Sequence, residues 1–212
     1  MREFVARLQL TTQHCFPEPS LWLTPKEICV FERLKMPRRR QDWLAGRWAA
    51  KGLVRQYLLE TANLALDLAQ IEIGNTPTGV PLLQRPFCSD IHISIAHSAG
   101  YGLAGLALGT PIGVDLQHIR AVRLDLQERV LSEHEREQLA HHFSGREGVL
   151  VFWALKEAAV KAGRTRPAPA LREIMVKLTE PGRAEISLRT QRLKAQWGRW
   201  EEFIWACAQV LT

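Results

Sequence analysis

The sequence predicts an α+β protein of two similar halves, residues 1–109 and 110–212, joined near Gly109–Pro111. Three observations lead there. The order strand, helices, strands occurs twice along the chain. Helix starts are marked by capping residues, and short β-branched runs lie between Gly, Pro, Asn and Thr turns. No repeat in the sequence itself is visible beside this coarse duplication of elements.

Residues 2–10 alternate apolar and polar side chains, as a half-buried strand does. "TPKE" then offers Thr24 as an N-cap, Pro25 at the first helical position and Glu27 to close a capping box. Pro37 starts a longer helix running to about Glu60. From Ile71 to Leu116 the runs "IEI", "IHISI" and "PIGVDL" describe a small sheet. Helical patterns return at about Leu124–His142 and at Ser144–Ala162, where Ser144 and Glu147 form a second capping box and Gly163 is a natural stop. "TRPAPA" reads as a loop, and residues 173–189 and 202–210 as strands.

The composition, 46% hydrophobic and 24% charged over 212 residues, describes a soluble globular chain able to bury a substantial core. No apolar run approaches the roughly 20 residues that span a bilayer. The N-terminal "MREFVARLQL" lacks a signal-peptide core, so a cytoplasmic protein is expected. Cys15, Cys29, Cys88 and Cys207 form no CxxC pair, which points to neither a zinc site nor a disulfide framework. The net charge of +6 favours acidic partners.

Eight Lys and Arg residues but a single acid, Asp42, lie between Arg33 and Arg55. On the helix after Pro37, Arg40, Arg47, Lys51 and Arg55 fall within about 80° around the axis, with Trp48 at their border. Such a stripe is either a solvated basic face or a contact for phosphate or nucleic acid. No nucleic-acid motif accompanies it.

Three further constellations carry chemistry. His97 ends the apolar run "ISIAH", where an imidazole can donate to a phosphate, bind a metal or cap the strand. Asp115 ends the buried run "PIGVD", where a carboxylate needs a cation or hydrogen-bond donors. Asp115 and Gln117 point to one side of the strand, an oxygen pair suited to a hard cation such as Mg²⁺. In "FWALKEAAVKAG", Trp153, Glu157 and Lys161 step by four along one helix face, with Lys156 on its flank. By itself that pattern also fits a surface Glu157–Lys161 pair.

Taken together, "IGVDLQ" (112–117) and "FWALKEAAVKAG" (152–163), supported by "ISIAHS" (93–98) and "GVPLL" (79–83), resemble the 4′-phosphopantetheinyl transferase superfamily, in its longer surfactin-synthetase-type branch. The likeness runs from about Arg38 to Gly163. It implies a pseudo-dimer with the site in the cleft between halves, the first contributing to coenzyme A binding and the second holding metal and catalytic helix. It implies transfer of the phosphopantetheine arm of coenzyme A to a serine of an acyl or peptidyl carrier protein, with release of 3′,5′-ADP. The pathways so served are fatty acid, polyketide or nonribosomal peptide biosynthesis. Asp115, Gln117 and Glu157 would hold Mg²⁺ or Mn²⁺. Glu157 would act as base toward the serine, and Lys161 would stabilise charge on the phosphate or protonate the leaving group. Arg40, Arg47, Gly79, Pro81, His97 and Lys156 would contact coenzyme A, and the helical stretch 120–145 part of the carrier. A monomer is expected, with no nucleic-acid or membrane partner. The alanines around Glu157 would be small enough to let a ligand approach.

The chain departs from the family pattern at three places. Gln117 stands where a second acid is usual, Val80 replaces a lysine of a G-K-P turn, and Ala96 replaces a serine before the motif histidine. These departures keep open a non-catalytic member that binds carrier protein or coenzyme A.

Overall fold

The computed structural model describes residues 6–11, 15–121, 125–143 and 147–211. The expected Ser144 cap, and the parts of the first strand and third helix at residues 2–5 and Leu124, lie outside them. The chain forms two compact units, Val5–Gly109 and Thr110–Thr212. Among the described residues no helix is long and apolar enough to cross a membrane.

In the first unit β1 (Arg7–Leu10) precedes α1 (Pro25–Glu32) and α2 (Pro37–Ala62). Thr24 caps α1 through the full reciprocal box with Glu27, and α2 stops where Asn63 turns left-handed at φ 50°. The hairpin of β2 (Glu72–Asn75) and β3 (Pro81–Arg85) follows, then β4 (Ile91–Ser98) and β5 (Tyr101–Leu108). Ala99 and Gly100 join the last two with both φ positive, the backbone a two-residue hairpin turn requires. The strands form an antiparallel sheet in the order β1-β5-β4, beside the β2–β3 ribbon. Apolar positions of α2, among them Ala49, Leu53 and Val54, cover this sheet. Gly102 of β5 permits close contact, since a Cβ there would fall 2.3 Å from the Ala45 carbonyl oxygen.

The second unit runs β6 (Ile112–His118), α3 (Leu126–Val130), α4 (Glu133–His142), α5 (Glu147–Gly163) and then β7 (Met175–Leu178), β8 (Arg183–Leu188), β9 (Gln191–Trp200) and β10 (Phe203–Val210). The strands make one antiparallel sheet in the order β6-β10-β9-β8-β7. Two expectations change here. The helix expected through 124–142 breaks at Leu131, because Ser132 and Glu135 form a capping box that starts α4 afresh. The polar stretch "QRLKAQWGRW" is β9, unexpected from its composition and stabilised by pairing with β8 and β10 on both sides.

The duplication is real and deeper than element order. In each unit the last strand, β5 or β10, lies between the first strand and the one before the last. Each long helix also carries one fully buried lysine held in the same way. Lys51 Nζ donates to Trp22 O (2.8 Å) and to Glu27 Oε2 (2.5 Å). Lys156 Nζ donates to Val130 O (2.6 Å) and to Glu135 Oε2 (2.6 Å). Both glutamates close a capping box two residues beyond that carbonyl, and each spends its other oxygen on a strand N–H, of Ile73 in β2 or Val176 in β7. Superposing the lysines aligns "WAAKGLVRQ" (48–56) with "WALKEAAVK" (153–161). A short sequence repeat is therefore present, though too brief to register before its partners were known.

Candidate active site

The site in the second unit begins with the alternation of β6. Val114 and Leu116 are buried on one face, while Gly113, Asp115 and Gln117 turn to α5. Gly113 sets the distance: a Cβ on it would lie 1.9 Å from Ala158 O and 2.5 Å from Ala162 N. Ala154, Ala158, Ala159 and Ala162 are fully buried against the sheet. Their small size lets the helix approach the strand, which corrects the expectation that they make room for a ligand.

With the helix so close, Lys161 reaches over β6. Its Nζ donates to Val114 O (2.9 Å) and to Asp115 Oδ1 (2.8 Å), while Gln117 Nε2 donates to Asp115 Oδ2 at 2.6 Å. Asp115 is 6% exposed, and each oxygen has a donor, as a nearly buried carboxylate requires. Glu157, one turn before Lys161, is half-buried. Burial pushes its carboxyl above the usual carboxylate range, the Asp115 charge adds to this, and Lys161 opposes it. Lys161 thus ion-pairs with Asp115 and acts on Glu157 through space.

The donor set fits a hard divalent cation, because two carboxylates that repel each other are what such an ion would bring together. Gln117 reaches Asp115 through the nitrogen of its amide. Its amide N–H faces a carboxylate that can only accept, so Gln117 orients Asp115. Among the described residues no group of three or more His, Cys, Asp and Glu assembles.

In the first unit the expected coenzyme A residues fall into three places. Arg47 is 6% exposed; its Nη2 donates to Asn75 Oδ1 (3.3 Å) while its buried Nη1 has no partner. Burial lowers its pKa. Asn75 pairs with Pro81 across the hairpin whose turn holds Gly79 at φ 83°, so Arg47, Gly79 and Pro81 share one corner. Arg40 lies over the Phe31 ring at 3.9 Å and donates to Leu34 O. His97 is half-exposed at the end of β4, its Nδ1 3.9 Å from Asp42 Oδ2. Asp42 also accepts from Gly100 N, fastening the β4–β5 turn to α2. Its only signal in the sequence was being the single acid in a basic run.

The comparisons with known proteins decide the family. The family model of the 4′-phosphopantetheinyl transferase superfamily matches residues 111–208. A holo-[acyl-carrier-protein] synthase of Streptococcus agalactiae is 34% identical over 87 residues, covering 41% of this chain and 72% of that protein. The chain belongs to the 4′-phosphopantetheinyl transferase superfamily. A 4′-phosphopantetheinyl transferase of Bacillus pumilus is 26% identical over 167 residues, covering 77% of this chain and 70% of that one. A holo-(acyl-carrier-protein) synthase of Bacillus anthracis, solved in complex with coenzyme A (3′,5′-ADP), matches with 26% identity and a TM-score of 0.41, over 47% of this chain and 94% of that one.

For a member of this superfamily the fate of Lys156 is a correction. Expected at a phosphate of coenzyme A, its ammonium is instead fully buried in the ion pair with Glu135. The basic stripe of α2 is corrected as well. Lys51 is fully buried on Glu27 and Arg47 is 6% exposed, while Arg55 is exposed, so these four cations do not form one solvated face.

Proposed function

We propose that the chain transfers the 4′-phosphopantetheine arm of coenzyme A to a serine hydroxyl of an acyl or peptidyl carrier protein. The serine oxygen bonds to the phosphorus that bears pantetheine, and the bond from that phosphorus to 3′,5′-ADP breaks. The observation that carries this reading is the cluster of Asp115, Glu157 and Lys161 in a chain of this superfamily. Phosphoryl transfer asks a protein mainly for positioning and charge neutralisation, which these groups supply.

Asp115 and Glu157 are the residues that would hold Mg²⁺ or Mn²⁺, which when bound supplies positive charge against the pyrophosphate. Glu157 is the base for the serine proton; a carboxyl held above the ordinary range is better matched to that task near neutrality. Lys161 has three N–H donors, of which Val114 O and Asp115 take two. The third serves a phosphate or leaving-group oxygen. Gln117 keeps the Asp115 carboxylate oriented. His97, Arg40 and Arg47, with the Gly79–Pro81 turn, are the coenzyme A contacts in this reading.

The test combines the protein, coenzyme A, Mg²⁺ and a panel of apo carrier proteins, with mass spectrometry reporting the added arm. Transfer to at least one carrier is expected, falling about 100-fold or more in Glu157→Gln. Coenzyme A binding without transfer to any carrier would make the chain a binding module. Unchanged transfer by Glu157→Gln would remove the assigned base.

A further inference from the structure

In the first unit one face of α2 is left open. Gly52, Arg55, Gln56 and Leu59 follow the i, i+3, i+4, i+7 spacing of a single helix face. After the left-handed turn at Asn63 the chain returns beside this face through Leu66 and Asp67. With Gln9 of β1 these residues line an open cavity of about 480 Å³, within the roughly 300–1,000 Å³ of small-molecule sites. Gly52 keeps one end of it clear, since a Cβ there would lie 2.7 Å from the Gln9 amide nitrogen.

The lining carries both signs of charge. Arg55 is an exposed guanidinium and Asp67 an exposed carboxylate. Neither has an ion-pair partner among the described residues, so the two do not neutralise each other. Gln9 Oε1 is buried without a hydrogen-bond partner. Gln56 Nε2 donates to Glu60 Oε1 at 2.8 Å, which leaves Gln56 Oε1 free to accept. Leu59, 48% exposed, and the partly buried Leu66 make an apolar wall. A purely anionic ligand would face Asp67, and a purely cationic one Arg55. An apolar ligand would leave both charges and Gln9 Oε1 unmatched. Only a ligand that carries both charges and an apolar group matches the whole lining.

We propose that this cavity binds a free α-amino acid with an apolar side chain. The carboxylate lies on Arg55, whose planar fork suits two oxygens. The ammonium has three donors, which meet Asp67 and the amide oxygens of Gln9 and Gln56. The side chain lies against Leu59 and Leu66. None of these residues is among those assigned to coenzyme A, the metal or the transfer step, so the site adds a ligand to the proposed reaction without sharing its groups.

L-Phenylalanine and L-leucine are the probes, titrated into the full chain by isothermal titration calorimetry. N-acetyl-L-phenylalanine, L-phenylalaninamide and glycine lack the ammonium, the carboxylate and the side chain in turn. One saturable site is expected for at least one of the two probes, with each analogue at least about 10-fold weaker. Arg55→Gln and Asp67→Asn lie at exposed positions and should fold, as circular dichroism would report. Each should weaken the amino acid at least about 10-fold and leave coenzyme A binding unchanged. Failure of both probes to bind overturns the proposal, as does equal binding of the analogues or of the two variants. Weakened coenzyme A binding in a folded Arg55→Gln chain also overturns it, because the cavity would then serve the nucleotide. The analogue series reads the same chemistry on the wild type alone, so the proposal stays testable if a variant does not fold.

Discussion

Lys156→Met separates the role that the motif implies from the role that the structure assigns. The substitution leaves the buried Glu135 carboxylate facing a thioether and takes the donor from Val130 O. Breaking a buried ion pair costs about 3–5 kcal/mol, since the remaining charge is uncompensated. Glu135 keeps the N–H groups of Ser132 and Val176, and methionine preserves apolar volume, which places the loss near the lower end, about 3–4 kcal/mol. For a chain of this size 1 kcal/mol shifts Tm by roughly 2–4 °C, so a fall of about 6–16 °C is expected in thermal unfolding followed by circular dichroism. Glu135→Gln in the same chain should recover more than half of it, because no bare charge is left. Lys51→Met, facing Glu27 in the first unit, should cost a similar amount. The reasoning fails if Lys156→Met lowers Tm by less than about 3 °C while weakening coenzyme A binding in calorimetry, the signature of a ligand contact.

Gly113→Ala should destabilise by at least about 1–3 kcal/mol and abolish most transfer, because the new methyl meets backbone atoms of Ala158 and Ala162 that cannot swing away. Denaturant midpoints and the carrier assay together check it; a neutral outcome in both would show that α5 is free to lift off β6. Glu157→Gln should be more stable than the wild type at about pH 8. The folded carboxyl titrates above its unfolded value, so the wild type loses stability as pH rises through the folded pKa and the amide does not. The advantage should vanish below the ordinary glutamate pKa of about 4.3, and a difference constant with pH would contradict it.

Much of the local structure around the candidate site is legible in the sequence. The G-V-D strand, the W-x-x-K-E-x-x-x-K helix, the Thr24 capping box and the Pro37 helix start are local patterns, and local patterns report local structure, although the strand runs on past Asp115 to His118 instead of ending there. The fate of the lysines was not local. Lys51, Lys156 and Lys161 look alike in sequence, each on a helix among small apolar residues. Lys51 finds its carboxylate 24 residues away and Lys156 finds its own 21 away, both sealed from water. Lys161 meets Asp115 46 residues away at a partly exposed edge, where in the proposed reaction a third N–H would serve the substrate. By itself the sequence determined which groups are candidates for phosphoryl chemistry. Only the tertiary structure decided which of them are consumed in the core, because a charge can be buried only where the fold brings it a distant counter-charge.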